Sequence, residues 1–159
     1  NYLPHSCYNQ LHQSIILQII FELIMWGDDS VTLVPLEWLK PHEEIKEKAR
    51  DKLLQMTKKW GGFTKPLIVD KSTGSLLDGH HRFSVANLLG LTSVPAICVD
   101  YLNDENIIVE TWPNSDLNII SKTDVIDMSL SGDLFPPKTS RHIFSYDVPP
   151  IFIPLENLK

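Results

Sequence analysis

Residues 76–90 read LLDGHHRFSVANLLG. Leu76 and Leu77 end an extended apolar run, and a helical pattern begins within four residues. Between them stand an acid, a glycine, two adjacent histidines and an arginine. A strand ending in Asp78-Gly79 and turning directly into a helix is a ready anion site. The first N–H groups of the helix point outward without partners, and a glycine lets backbone approach the bound group closely. Arg82 adds a fork of donors suited to phosphate oxygens, and His80 and His81 can donate without a permanent charge. Asp78 makes sense beside phosphates where a divalent cation bridges them, so it is also the candidate metal ligand. Capping a helix needs the acid alone and leaves the other four residues unexplained. A His-His metal site is disfavoured, because neighbouring residues on a helix face different directions.

Outward from this turn, the chain alternates strands and helices. On the N-terminal side, VTLVPLEWL (31–39) reads as a strand running into a turn. KPHEEIKEKARDKLLQMTKKW (40–60) reads as a helix opened by Pro41 and acids, with Ile45, Ala49, Leu53 and Met56 on its buried face and Gly61-Gly62 as its stop. KPLIVDKSTGSLLDG (65–79) is a hairpin pattern turning at Lys71 to Gly74. The helix from Gly79 to Leu89 stops at Gly90. SVPAICVDYL and NIIVETW follow as strands, the second ended by Pro113. SKTDVIDMSLSG opens with a capping-type Ser-x-x-Asp and predicts a short helix over 121–131. DLFPPKTSRH (133–142) reads as a proline-bounded loop, and PPIFIPLENL as a closing extended edge segment. The expectation is one α/β domain over 30–159 with a small mixed sheet.

The chain has 159 residues, 43% hydrophobic and 21% charged, the make-up of a globular protein. Its net charge of −6 argues against broad nucleic-acid binding, which needs a basic face. Cys7 and Cys98 are far apart and form neither a disulfide framework nor a zinc motif, which points to the cytoplasm. Residues 1–29 form an N-terminal extension. Within it QLHQSIILQIIFELIMW (10–26) carries Ser14, Gln18 and Glu22 on one stripe, predicting an amphipathic helix for packing or self-association and no membrane span. No basic residue precedes this run and no small-residue cleavage site follows it, against a signal peptide.

DGHHRFSVANLLG followed by VPAICVDY resembles the ParB/sulfiredoxin-like fold, in which a glycine-to-arginine turn opening a helix holds nucleotide phosphates. The closer resemblance is to the free L-serine kinases of that superfamily, the archaeal ADP-dependent enzymes and their ParB-like bacterial relatives. LKPHEE (39–44), VETWP (109–113) and PPKTSRH (136–142) match that group in order, so the resemblance spans about residues 31 to 159. The chain lacks most of the insert that the longer enzymes carry between the Trp112 strand and the C-terminal loop.

The resemblance implies a role for each matching residue. Glu43 falls on the catalytic carboxylate that takes the proton from the serine hydroxyl. Asp78 falls on the second essential acid, near the phosphates. Gly79, His80, His81 and Arg82 fall on the phosphate-holding turn. Trp112 falls at the serine pocket, and Thr139, Ser140, Arg141 and His142 on a loop closing over amino acid and phosphate. Without the motif, Glu43 and Glu44 would read as acids favoured at a helix start, and Trp60 and Trp112 as core aromatics. The implied activity is a kinase making O-phospho-L-serine from L-serine, with ADP or ATP as donor and Mg²⁺ as cofactor.

Two other functions compete. A ParB-like nucleotide-binding, DNA-associated module would place a helix-turn-helix domain after the nucleotide fold, yet the region after Trp112 offers one short helix and proline-rich chain. A sulfiredoxin-like reductase needs a cysteine in the phosphate turn, where this chain has His80.

Overall fold

The computed structural model describes residues 30–159. The N-terminal helix expected over 10–26, and its role in self-association, lie outside the described residues. The centre is a four-stranded sheet ordered β1-β5-β3-β4, built from β1 (Val31–Pro35), β3 (Leu67–Asp70), β4 (Leu76–Asp78) and β5 (Ser93–Val99). β5 runs antiparallel to β1 and parallel to β3, and β3 turns back antiparallel into β4, so the sheet is mixed as expected. β3 reads Leu-Ile-Val-Asp and is buried at every position, because it lies between two neighbours and is covered on both faces. The parallel β3–β5 pairing requires a crossover, and α2 (His80–Leu88) lies on it.

Two small ribbons flank this sheet. β2 (Gly62–Phe63) pairs with β8 (Ile153–Pro154), and β6 (Ile107–Thr111) pairs with β7 (Ser140–Phe144). The closing segment is more than an edge, since Ile151, Ile153 and Leu158 are buried in the main core. α3 (Lys122–Ser131) begins where its sequence indicates. The Ser121 hydroxyl accepts from Asp124 N–H while the Asp124 carboxylate accepts from Ser121 N–H, a reciprocal cap. Among the described residues, no helix is long and apolar enough to cross a membrane.

Three local expectations are corrected. The first long helix, α1, spans Glu47–Trp60, so Pro41 to Lys46 are extended and Glu43 and Glu44 lie outside any helical turn. Backbone bonds with another segment keep residues 42–44 extended: Phe135 N–H donates to His42 C=O and Glu44 N–H donates to Phe135 C=O. On α1 itself, Ala49 and Met56 are exposed and Thr57 is the buried residue, because the helix packs against α2 through a different stripe. Ser140, Arg141 and His142 stand on strand β7 and not in a loop; the register pairs them with Thr111, Glu110 and Val109 of β6.

Candidate functional site

The turn between β4 and α2 is shaped by Gly79, whose φ of +105° few side-chain-bearing residues adopt. A Cβ there would lie 2.8 Å from Leu67 Cγ and 3.2 Å from the Arg82 guanidinium. No side chain caps the start of α2, so its first N–H groups remain open to a ligand. Arg82 folds back over this end. Its Nη2 donates to Asp78 Oδ2 at 3.1 Å, while Nη1 is buried with no hydrogen-bond partner. Burial lowers the Arg82 pKa and Asp78 works against that shift, leaving a cation short of acceptors.

His80 and His81 serve a different purpose from phosphate donation by Nε2. His80 Nε2 accepts from His42 N–H and His81 Nε2 accepts from Lys46 N–H, each at 3.2 Å. The two rings pin the 42–46 segment to the phosphate-type turn, which leaves only their Nδ1 atoms to offer a ligand. Burial lowers the pKa of both, His80 well below the ordinary value, with neighbouring positive or titrating groups adding to the shift.

Glu43 therefore faces the turn from an extended segment. Its Oε1 accepts from Thr139 N–H at 3.0 Å, Ser140 N–H at 2.7 Å and the Ser140 hydroxyl at 3.0 Å. Oε2 accepts from Lys138 N–H at 3.2 Å. These bonds hold the 138–140 segment down, including Lys138 at the uncommon φ of 57°. Thr139 contributes its backbone only. The side chain is buried and donates to Pro136 C=O within its own turn, so it does not line the cleft.

Trp112 continues β6 and donates from Nε1 to Ser140 C=O at 3.1 Å. Two cations lie over its ring, Lys138 Nζ at 5.2 Å and the Arg141 guanidinium at 5.0 Å from the centroid. His142 is turned inward against the Tyr101 hydroxyl, 2.8 Å from Nε2, and burial pushes it down to about 3. Trp60 is 43% exposed and lines the same cleft, contrary to a core role.

A cleft of about 490 Å³ gathers most of these groups: Glu43, Asp78, Gly79, His80, His81 and Arg82 on one side, with Trp112, Ser140, Arg141 and His142 completing it. Ten of the eleven candidate residues thus converge from four separate stretches of chain; Thr139 stands behind the wall. The functional group that sequence reasoning missed is His42, fully buried one residue before Glu43. Its only signal was a histidine in Pro-His-Glu that no surface helix would require.

The architecture is the ParB/sulfiredoxin-like fold in the form found in free serine kinases. A solved free serine kinase in complex with AMP superposes with a TM-score of 0.74 at 17% identity, covering 82% of this chain and 94% of the other. A C-terminally truncated SbnI from Staphylococcus aureus superposes at 0.71 and 13% identity, covering 82% of this chain and 90% of the truncated one. At such identities the likeness establishes the fold. In sequence, an ATP-dependent L-serine kinase of Staphylothermus marinus is 35% identical over 94 residues, which are 57% of this chain and 37% of the relative. A ParB-like protein of Sulfolobus acidocaldarius is 26% identical over 187 aligned positions, 72% of this chain and 93% of the relative. The chain thus spans little more than a third of the length of the matched kinase and nearly all of the ParB-like protein. No family model matches the chain. In sequence the chain is similar to L-serine kinases and to a ParB-like protein, and its fold is shared with a free serine kinase and SbnI.

Proposed function

We propose that this chain is a cytoplasmic kinase for free L-serine, moving a phosphoryl group from ADP or ATP to the serine hydroxyl with Mg²⁺ and yielding O-phospho-L-serine. The observation that carries the reading is the buried, unpartnered Arg82 Nη1 beside the uncapped start of α2, in one cleft with the Glu43 carboxylate. An orphaned cationic donor is costly unless a ligand satisfies it. Phosphate oxygens fit both the guanidinium and the helix end.

The donor set suits magnesium carried in by the nucleotide. Among the described residues there is no group of three or more His, Cys, Asp or Glu side chains that could hold a metal. Mg²⁺ typically keeps waters and substrate phosphates and takes one or two carboxylates, and Asp78 is the carboxylate that would serve. Bound there, the ion would neutralise charge on the transferring phosphoryl group.

The remaining work falls to the chain itself. Arg82 and the N–H groups of the first turn of α2 hold the phosphates. Glu43 orients the attacking hydroxyl and accepts its proton. Trp112 with Lys138 and Arg141 forms a cationic wall suited to the carboxylate of an amino acid. The test is direct: incubate the chain with L-serine, Mg²⁺ and ADP or ATP, and follow phosphoserine by ³¹P NMR. Absence of phosphoserine with both nucleotides refutes the reading.

A further inference from the structure

Ser140 Oγ stands 3.0 Å from Glu43 Oε1 and 2.9 Å from His42 Nε2. A hydroxyl has one hydrogen, so the direction of these two bonds depends on which partners bring hydrogens of their own. His42 Nδ1 lies 2.8 Å from Leu76 C=O, and a carbonyl only accepts, so Nδ1 carries the ring hydrogen. Burial pushes His42 down to about 4, which leaves the ring neutral and Nε2 a bare acceptor. The nearby histidines bring no second hydrogen to Nε2. His80 uses its Nε2 to accept from His42 N–H, and His142 uses its Nε2 with the Tyr101 hydroxyl. Glu43 and His42 therefore compete for the single hydrogen of Ser140.

We infer that Ser140 and His42 are positioning residues for the base, forming a hydroxyl switch behind it. The Ser140 hydrogen points to Glu43 while that side chain is a carboxylate, and swings to His42 Nε2 once Glu43 has taken the proton from the substrate hydroxyl. The inference rests on the serine-kinase reading above. In the step, the substrate O–H bond breaks and an O–H bond forms on Glu43. The freed oxygen forms a bond to the terminal phosphorus as the bridging P–O bond of the nucleotide breaks, and the nucleotide leaves one phosphate shorter, as AMP from ADP or ADP from ATP. The O–H bond of Ser140 is kept throughout; only its torsion changes. Glu43 Oε2, held by the longer bond from Lys138 N–H at 3.2 Å, receives the proton, and Oε1 keeps its two backbone donors.

The arrangement answers a problem that the site otherwise has. Four donors hold the Glu43 carboxylate, and each loses strength as the charge is neutralised. His42 gives the one mobile donor a second acceptor, so Ser140 makes a hydrogen bond before and after the transfer. A His42 that acts only through its packing and its bond to Leu76 C=O would matter equally whatever residue stands at 140. A switch partner matters only while position 140 carries a hydroxyl.

A double-mutant cycle on the full chain separates these cases, with kcat and KM for L-serine measured for His42→Leu, Ser140→Ala and the pair. His42→Leu leaves the Ser140 hydrogen on Glu43, and we expect kcat to fall about tenfold or more with KM within about threefold. In the Ser140→Ala background, the same substitution changes kcat by less than about twofold. Equal effects of His42→Leu in the two backgrounds overturn the switch and leave the kinase reading standing. A wild-type chain that makes no phosphoserine overturns both. Should His42→Leu not fold, ¹⁵N NMR of the histidine-labelled wild-type chain decides. A neutral ring at pH 7 with Nδ1 protonated and Nε2 bare supports the switch; a doubly protonated ring or the opposite tautomer overturns it.

Discussion

Replacing Glu43 by Gln tests the proposed base with a built-in control, because Glu44 stands beside it. Gln keeps the shape and one acceptor oxygen. That oxygen can retain the bonds from Thr139 N–H, Ser140 N–H and the Ser140 hydroxyl now made by Oε1. The amide nitrogen then replaces Oε2 and faces Lys138 N–H at 3.2 Å, donor against donor. Hydrogen bonds to a charged group are worth about 1.5–3 kcal/mol and neutral ones about 0.5–1.5 kcal/mol. Losing charge assistance and the Lys138 bond on this partly exposed group should therefore cost about 2 kcal/mol. For a domain of this size that is roughly 4–8 °C in melting temperature. Turnover should fall much further, by about 10²-fold or more, the scale of a lost general base.

Glu44 also lines the cleft, but it accepts none of the bonds from Lys138, Thr139 and Ser140 that hold Glu43 in place. Its side chain is exposed, and its backbone N–H is committed to Phe135 C=O. Glu44→Gln should stay within about 0.5 kcal/mol of the parent in stability, as surface changes do, and nearly as active. Nucleotide affinity by calorimetry should be unchanged in both variants, because the Asp78–Arg82 pair is untouched. Comparable turnover in the two variants, or a larger loss in Glu44→Gln, refutes the assignment and moves the base to Asp78 or a histidine.

Arg82→Ala removes the buried fork and should weaken nucleotide binding by about 1.5–3 kcal/mol, measured by calorimetry on a variant whose circular dichroism is unchanged. Gly79→Ala meets both an unfavourable φ of +105° and Leu67 Cγ at 2.8 Å, so it should lower both melting temperature and nucleotide affinity. Trp112→Ala removes the ring over which Lys138 and Arg141 lie and should raise KM for serine more than it lowers kcat. Acid stability follows from His42 and His142, which burial holds down to about 4 and about 3. The unfolded chain binds their protons near pH 6.5 and the folded chain does not, so these residues stabilise the fold above that pH. That stability drains away as pH falls toward 4, at about 1.4 kcal/mol per histidine per pH unit. Urea unfolding between pH 7 and pH 4 checks the slope, and a flat profile contradicts the buried, neutral histidines.

The fold was legible where sequence and local physics agree. The fully buried Leu67–Asp70 strand, the Asp-Gly turn into α2 and the reciprocal cap at Ser121 each carry their own signal in a few residues. The errors arose where a distant segment decides the local structure. Pro41 to Lys46 have helix-start composition, yet Phe135, 93 residues beyond His42, pairs with the segment and keeps it extended. Ser140 to Phe144 alternate inward and outward along β7, but the prolines before them masked the alternation, and only pairing with β6 reveals it. His42 was invisible for the same reason, since its value lies in contacts to Leu76 and Ser140 from two other elements. The individual site residues could be named from short motifs because their chemistry is carried by residue type. How they act on one another depends on which hydrogens point where, and the structure supplies that through long-range bonds. Glu43 illustrates the difference: the motif picks out the carboxylate, while the Lys138–Ser140 backbone and the His42–Ser140 pair determine whether that carboxylate can take a proton.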